Sequence, residues 1–368
     1  MSSSPAGVPK RIAIVAPTLA GVLRDRANLI HALTARGHSV LAVASSQLAG
    51  EVAALHHLGG EHRNFDPRPP GMALLAGRKV VQAVRDILSE WKADTVIVSG
   101  QDLAGRAASA ARKAGAVRVI TIVGGLGSGG DEDRRATAQS YRHAVKLSDA
   151  AVLHNAHDAR LFSGALKLPD GFPVVVVTGD GVDIDAFTPS PLPDPTGSVT
   201  FVMIADPGQR QAIEAYVSAA REISARGVPA RFELATDREM AEETAFLTAG
   251  GVVFLGRASD PNQVLANAHV AVHLAADDGA PAALKQALAA GRPVLTLDVP
   301  GCREAVDERV NGCLVPPNDG RALVAALESF LVHRDLLASE ARAARAKAVQ
   351  AYDRHKVLAP VVAAVEGS

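Results

Sequence analysis

Apolar residues in this chain come in short continuous runs, separated by stretches with helical spacing. Residues 11–16 (RIAIVA) read as a buried strand. Residues 17–21, bounded by Pro17 and Gly21, break it. Residues 25–36 then place Ala27, Leu29, Ile30 and Leu33 at helical intervals, and Gly37 is a natural C-cap. A second run, 39–44 (SVLAVA), follows. Strand, helix and strand in this order imply a parallel sheet. The pattern continues with helices expected at 51–58, 72–88, 103–114 and 136–147, and strands at 95–98, 117–123, 150–153 and 174–177. The 62–71 segment is rich in Pro and Arg and is expected to be irregular.

The alternation restarts after a loop at 179–195. Strands are expected at 199–204 (VTFVMI), 231–234, 252–255, 270–274 and 294–297, with helices at 211–225 and 262–267. A small-residue helix ends at Gly291, a short helix follows a Pro-Gly loop, and the last helices begin near Arg321, with a helical tail at 355–365. The expected fold class is therefore α/β, with two doubly wound parallel-sheet domains of about 170 residues each. Their expected bounds are 1–188 and 196–351, joined by a linker at 189–195 that Pro189, Pro191, Pro193 and Pro195 mark. Ligands of open α/β sheets bind outside the carboxyl ends of the strands. Two such domains predict a cleft between them, with hinge closure as its motion.

Composition supports a globular chain: 48% of its 368 residues are apolar and 21% charged, enough for a sizeable core. A net charge of −1 gives no support for a nucleic-acid partner. The charge is uneven, with 21 Lys/Arg against 17 Asp/Glu up to Pro189 and 17 against 22 beyond it. A basic first half suits a phosphate-bearing or membrane-surface partner, and also an ordinary solvated surface. Cys302 and Cys313 form neither a zinc pattern nor a disulfide framework, which fits a reducing cytoplasm; both read as small buried residues. No apolar run approaches the ~18 residues of a membrane span, and the N-terminal MSSSPAGVPKR has no signal-peptide core.

Two glycine-containing turns carry the candidate chemistry. After the strand at 270–274, the turn Asp277, Asp278, Gly279, Ala280, Pro281 opens onto a helix. Backbone N–H groups at a helix start carry partial positive charge, so such a turn suits an anion such as a diphosphate. It also fits an ordinary βα connection. The 124–130 loop (GGLGSGG) permits positive φ and close approach of a ligand. It does not match the dinucleotide fingerprint, because no clear helix is expected directly after it. His56-His57 and His154-x-x-His157 lack completing carboxylates, so no metal site is expected, and Ser99-Gly100 lacks the frame of a nucleophile elbow.

The stretch 273–319 resembles the donor-binding signature of retaining, family-4-type glycosyltransferases with the GT-B fold. That pattern is roughly E-G-x-P-x-x-L-x-E-A-x-A-x-G-x-P-V, then D-x-P-G-x-x-E, then N-G-x-L-V-x-P-x-D. Gly279, Pro281, Leu284, Ala287, Ala289, Gly291, Pro293 and Val294 match it, as do Asp298, Pro300, Gly301, Glu304, Asn311, Gly312, Leu314, Val315, Pro317 and Asp319. Asp278 and Gln286 stand where the family has glutamates. The resemblance covers nearly the whole chain. Its first half is similar to a subgroup that elongates undecaprenyl-diphosphate-linked sugars, through Val22 to Arg26 (F-L-S-H-R in the subgroup), Gly124 to Ser128 (T-G-L-G-S) and Gly181, Val182, Asp183 and Phe187 (G-V-D-x-x-x-F). The family's Gly-Arg and Lys-Gly pairs on the second domain's first loop are here Ala205, Asp206, Gln211 and Ala212.

The resemblance implies two Rossmann-like domains, the first for the acceptor and the second for a nucleotide-sugar, with the tail 352–368 packing back on the first. It implies Asp278 and Asp25 as catalytic positions. For the donor it implies Asp206, Gln211, Gly279, Ala280, Pro281, Leu284 and Gln286. Apart from the resemblance, Arg210 beside Gln211, Arg257 after Gly256 and Arg303 in the Pro-Gly loop are conceivable compensating cations, and each also reads as an ordinary surface residue. For the acceptor it implies Arg26, Asp102, Gly125, Leu126 and Gly127. Asp206 in place of Arg, and Asp102 where the subgroup commonly has Lys, reverse charge. Like charges ~4 Å apart repel by about 4 kcal/mol at an effective dielectric of 20.

Three functional readings remain open on the sequence. The first is a retaining glycosyltransferase that uses a UDP-sugar and a lipid-linked or saccharide acceptor, with neither cofactor nor metal. The second is a catalytically inactive GT-B protein that partners or scaffolds an active glycosyltransferase. The third is another GT-B-like enzyme, such as an epimerase or phosphorylase. A cytoplasmic protein, able to sit peripherally at the inner face of the plasma membrane, is expected.

Overall fold

The computed structural model describes residues 8–69, 73–127, 129–194, 196–236, 244–258, 260–275 and 279–367. The chain forms two compact units, Met1–Gly181 with Arg354–Ser368, and Val182–Asp353. The first begins β1 (Arg11–Thr18), α1 (Leu19–Ala35), β2 (Ser39–Ser45), α2 (Ala49–His57), β3 (Gly60–Arg63) and α3 (Ala73–Trp91). It continues β4 (Thr95–Ser99), α4 (Gln101–Lys113), β5 (Arg118–Val123), α5 (Asp131–Ser140), α6 (Arg142–Lys146), β6 (Ala150–Leu153), α7 (Ala156–Leu166) and β7 (Val174–Val176). The second holds β8 (Val199–Ala205), α8 (Arg210–Ala225), β9 (Ala230–Thr236), α9 (Thr244–Ala249), β10 (Val252–Arg257), α10 (Pro261–Ala266) and β11 (Val270–His273). After these come α11 (Ala282–Ala289), β12 (Val294–Leu297), α12 (Pro300–Arg303), β13 (Gly312–Val315), α13 (Gly320–Val332) and α14 (Leu337–Lys347). The chain then returns to the first unit as α15 (Arg354–Glu366).

Among the described residues, the first unit has a seven-stranded sheet of order β3-β2-β1-β4-β5-β6-β7. Every pairing in it is parallel. Side chains alternate between its faces, so each strand feeds two cores. Ala13, Val15, Leu41, Val43, Val96 and Val98 face a core shared with α3 and α4. Ile12, Ile14, Val40, Ala42 and Ile97 face the other, with α1 and α15. Both faces are covered, which is why these strands read as unbroken apolar runs.

Helix α15 completes the second layer with Val357, Leu358, Val361, Val362 and Val365. Full burial of each is worth at most about 1.5–3 kcal/mol. Glu366 fastens its end: the carboxylate accepts from Arg36 Nε and Nη2 (2.7 and 2.9 Å) and lies 2.9 Å from His38 Nε2. The His38 Nδ1 accepts from the Lys10 backbone N–H, so Nε2 is the ring's donor toward Glu366.

The second unit has a six-stranded sheet, order β10-β9-β8-β11-β12-β13, again parallel throughout. Its core takes Phe201, Tyr216 and Phe232, with Phe201 and Phe232 stacked at 5.3 Å between ring centroids. Arg292, 1% exposed, is bound by neutral oxygens. It donates to the carbonyls of Leu265, Ala266, Ser190, Ala290 and Gly291 and to Ser190 Oγ (2.6 Å). Burial lowers its pKa to about 10, which leaves it charged at neutral pH. The proline-rich stretch is thus tied by Ser190 to the second unit.

Several elements differ from the sequence expectation. The helix expected at 25–36 begins at Leu19, because Thr18 Oγ1 accepts the Gly21 N–H and caps it. β3, which pairs with β2 through its backbone, was not anticipated and reaches two residues into the segment expected to be irregular, at His62 and Arg63. The helix expected at 136–147 is split at Tyr141 into α5 and α6. α5 starts directly after Gly130, so the glycine loop does open onto a helix. α7, α9 and β13 were not anticipated. Cys302 is buried, as expected, but Cys313 is only partly so.

Replacing Arg292 by Met should cost the second unit about 3–5 kcal/mol, because its carbonyl acceptors then lose their donor inside the core. Urea unfolding followed by circular dichroism checks this. Arg36, then His38, holds the Glu366 carboxyl below its ordinary value of 4.5. Its contribution is therefore full above about pH 4.5 and fades as pH falls through the lower folded value. Glu366→Gln should cost about 1–3 kcal/mol at pH 7. The gap to the wild type should shrink below pH 4, read as hydrogen-exchange protection of α15.

Candidate functional site

In each unit one pair of neighbouring strands marks a change of winding direction, and the loops at its carboxyl ends form the natural ligand crevice. In the second unit the pair is β8 and β11: the chain passes from β8 to β9 on one side and from β11 to β12 on the other. The loops that follow them are 206–209 and the segment that ends in Gly279, Ala280 and Pro281. In the first unit the pair is β1 and β4. The end of β1 and the residue that follows β4 come together at Pro17 and Gly100. Gly100 has φ +89°, and a Cβ there would stand 2.6 Å from Pro17 Cγ, so no other residue fits without displacing the proline.

The β8 loop is closed on itself. Asp206 Oδ1 accepts the Gly208 N–H (2.7 Å), the Asp206 N–H donates to Gln209 Oε1 (3.2 Å), and the Gln209 N–H donates to the Asp206 carbonyl (2.9 Å). Gln211, in the first turn of α8, donates its amide to Asn318 Oδ1 (2.9 Å). Asn318 has φ +61° in the turn before α13, whose N-cap is Asp319. The three arginines considered as compensating cations are all exposed. Arg210 pairs with Glu214 (3.1 Å) and Arg303 with Asp298 (2.6 Å). Arg257 ends β10, the edge strand, two strands from β8.

Asp278 lies outside the described residues. The turn that follows it has Gly279 and Pro281 buried and Ala280 partly so. Pro281 is the N-cap of α11 and has no side-chain oxygen to offer the first N–H groups. Leu284 is turned into the core (1% exposed), and Gln286 is half-buried. Lys285, which the sequence reading passed over, is buried, and its Nζ donates to the Ala280 carbonyl (2.9 Å). Other motif positions serve the backbone. Asn311 Oδ1 accepts the Asp307 N–H (2.7 Å) and its Nδ2 donates to the Ala305 carbonyl (3.1 Å). A Cβ at Gly312 would meet the Val294 carbonyl at 2.1 Å.

In the first unit, Asp25 pairs with Arg24 (2.8 Å) on α1. Arg26 is buried (5% exposed), donates through Nη1 to the Asp25 carbonyl, and its Nε has no hydrogen-bond partner. Asp102 sits exposed in the first turn of α4. Both bear on Tyr141, whose phenol burial pushes up to about 12, with Asp102 adding to the rise and Arg26 opposing it. Tyr141 lies at the α5–α6 break, and no motif pointed to it.

The glycine loop is braced from below, Ser128 lying outside the described residues. Gly127 has φ +92°, while the Leu126 side chain is in the core and its N–H donates to Asp158 Oδ2 (3.1 Å). Asp158 forms a buried ion pair with Arg134 (2.8 Å, side chains 1% and 6% exposed). Arg134 Nε in turn donates to the Gly129 carbonyl (3.1 Å). Asn155 caps α7 through the Asp158 N–H and donates to its carboxylate. The Asn155-x-x-Asp158 cap was the readable signal for this group, since a polar residue before a helix is an N-cap pattern.

Residues 198–333 match the family of glycosyl transferases group 1. The protein named as the colanic acid biosynthesis glycosyltransferase WcaL of Escherichia coli K12 is 26% identical over 324 residues, 81% of this chain and 79% of that protein. Among solved structures, a glycosyltransferase from Rickettsia africae superposes with a TM-score of 0.75 at 14% identity, covering 98% of this chain and 99% of that one. Anabaena Alr3699/HepE in complex with UDP and glucose gives 0.72 at 16% identity, covering 98% and 100%. The two parallel-sheet α/β domains are those of GT-B glycosyltransferase structures.

Asp158→Ala should destabilise the first unit by about 3–5 kcal/mol, because it strands the buried Arg134 charge. Amide exchange at Leu126 and Gly127 should accelerate ahead of the sheet's. Unchanged exchange there would remove the pair's role as a brace for the loop.

Proposed function

We propose that this chain is a glycosyltransferase of envelope-polysaccharide or glycoconjugate assembly. It moves a sugar from a UDP-sugar to a lipid-linked or saccharide acceptor with retention of anomeric configuration. The observation that carries the reading is the group 1 match at 198–333, which contains both loops of the β8/β11 switch point. The relative named for colanic acid biosynthesis and the fold neighbour that holds UDP and glucose support the polymer class and the nucleotide.

The chemistry follows from the leaving group. A departing nucleoside diphosphate gains negative charge as the sugar takes on oxocarbenium character, so catalysis needs fixed positive ends aimed at it. The N–H groups at the start of α11 and of its preceding turn supply them without a metal or cofactor. Gln286 reaches a ribose hydroxyl, as an amide rather than a carboxylate. Asp278 takes the acidic position beside the donor sugar. The first unit receives the acceptor through Arg26, Asp102 and the backbone of Gly125 and Gly127, with Asp25 as its acidic group. Among the described residues no helix is long and apolar enough to cross a membrane, so a lipid-linked acceptor is met from the inner face of the plasma membrane by peripheral association.

Calorimetric titration with UDP, GDP and their sugar conjugates tests the reading. UDP and one UDP-sugar should bind saturably with Kd on the order of micromolar, unaffected by a chelator. A folded, monodisperse sample that binds none of these nucleotides overturns it.

A further inference from the structure

Among the described residues of the first unit, the buried lysines and arginines are Arg26 and Arg134, and the fold treats them differently. Arg134 has the Asp158 carboxylate and the Gly129 carbonyl. Arg26 donates through Nη1 to the Asp25 carbonyl, and its Nε, enclosed by protein, meets no acceptor. No carboxylate among the described residues forms an ion pair with it: Asp25 is turned to Arg24, and Asp102 is exposed.

A guanidinium has five N–H donors, and a buried donor without an acceptor is costly, more so when the group is charged. Arg292 shows what a structural arginine looks like in this chain, with carbonyls and the Ser190 hydroxyl converging on its fork. Arg26 lacks that enclosure. It lies four residues after Val22 and three before Leu29, on the stripe of α1 that faces the sheet. An apolar side chain there would join that core without the cost. Helical side chains lean toward the N-terminus of their helix. Because α1 starts directly after β1, this lean carries the guanidinium toward the carboxyl edge of the sheet, beside the β1/β4 switch point. Its charge reaches the buried Tyr141 phenol at the α5–α6 break, where Asp102 acts with the opposite sign. Asp102 is exposed, so solvent weakens its field on an anion at this edge.

We infer that the acceptor carries an oxyanion and that the Arg26 guanidinium binds it at the β1/β4 edge of the first unit. This rests on the acceptor reading above and narrows it, because a neutral saccharide would leave the buried charge uncompensated. The fork of an arginine matches the oxygens of phosphate and of carboxylate alike. The phosphate of a lipid-linked acceptor and the carboxylate of an acidic sugar are therefore two sources of the same chemistry.

The test follows the Arg26 Nε–H resonance of isotope-labelled wild-type protein, assigned through its side-chain carbons, during titration with farnesyl diphosphate, glucuronic acid and glucose. At least one of the two anions should shift it saturably, which identifies the source, and glucose should leave it in place. A resonance that moves with neither anion, or as far with glucose, overturns the proposal. Calorimetry on Arg26→Gln gives a second reading. The variant should bind the active anion roughly tenfold or more weakly, while its affinity for UDP, a ligand of the second unit, stays at the wild-type level. Equal anion affinity in the variant and the wild type overturns the proposal. So does an equal loss for UDP, which would mark a structural arginine. If Arg26→Gln does not fold, the wild-type resonance decides alone. A wild type that binds the anion at Arg26 but no UDP leaves this proposal standing and defeats the donor reading instead.

Discussion

A parallel strand cannot be joined to its neighbour by a tight turn, so each connection must cross a face of the sheet. Both sheets here are parallel throughout. All strands therefore run out at the same edge, and every loop that follows a strand emerges there. The crossing helices cover both faces and bury the strands, which leaves that edge as the place for polar chemistry. Where the winding reverses, between β1 and β4 and between β8 and β11, neighbouring loops diverge and open a crevice. Many of the candidate residues on either unit lie on loops or first helical turns that follow a strand, while Asp25, Arg26 and Gln286 lie further along their helices.

The same constraint explains what could be read from the sequence. Strands buried on both faces are unbroken apolar runs, so β1, β2, β5, β8 and β12 were visible. Short elements were not. β3 (GEHR) pairs at an edge through its backbone, with side chains that look like loop residues. β13 begins with Gly312, where the Val294 carbonyl excludes any side chain, and a glycine in sequence reads as a turn. The start of α1 was missed because Pro17 and Gly21 look like breakers, whereas Thr18 between them is a cap. In the second unit, the turn at Gly279, Ala280 and Pro281 was legible because the helix after it has a long, specific pattern. Lys285 and the Arg134–Asp158 pair were not. A charge in a sequence reads as surface, and only a fold can show it buried.

Those buried charges are handled in three different ways. Arg134 has a carboxylate partner, and both also bond the backbone of the glycine loop, so the pair orders that loop as well as neutralising itself. Arg292 is held by carbonyls and the Ser190 hydroxyl, and its fixed fork suits several acceptors converging from the proline-rich stretch, α10 and the end of α11. Lys285 donates to a carbonyl in the turn that precedes its own helix. The first two arrangements brace backbone that must stay in place. The third ties the start of α11 to the turn that leads into it.

Asp206 is the strongest objection to a donor site, and its geometry answers part of it. An uncompensated carboxylate ~4 Å from a phosphate would oppose it by about 4 kcal/mol at an effective dielectric of 20. Here the Asp206 carboxylate faces the Gly208 N–H, and the loop is further closed by Gln209. The partial charge of that N–H offsets some of the field, and the turn aims the oxygen at its own backbone. The carboxylate at 206 is therefore turned onto its own loop, which is how an acidic residue can stand where the related pattern has an arginine. The other loop of the switch point carries Asp277 and Asp278 in the sequence just before Gly279, so it is no more basic. The anion-attracting features common to both loops are then backbone N–H groups at helix starts, those of α8 and of α11, and not side-chain cations.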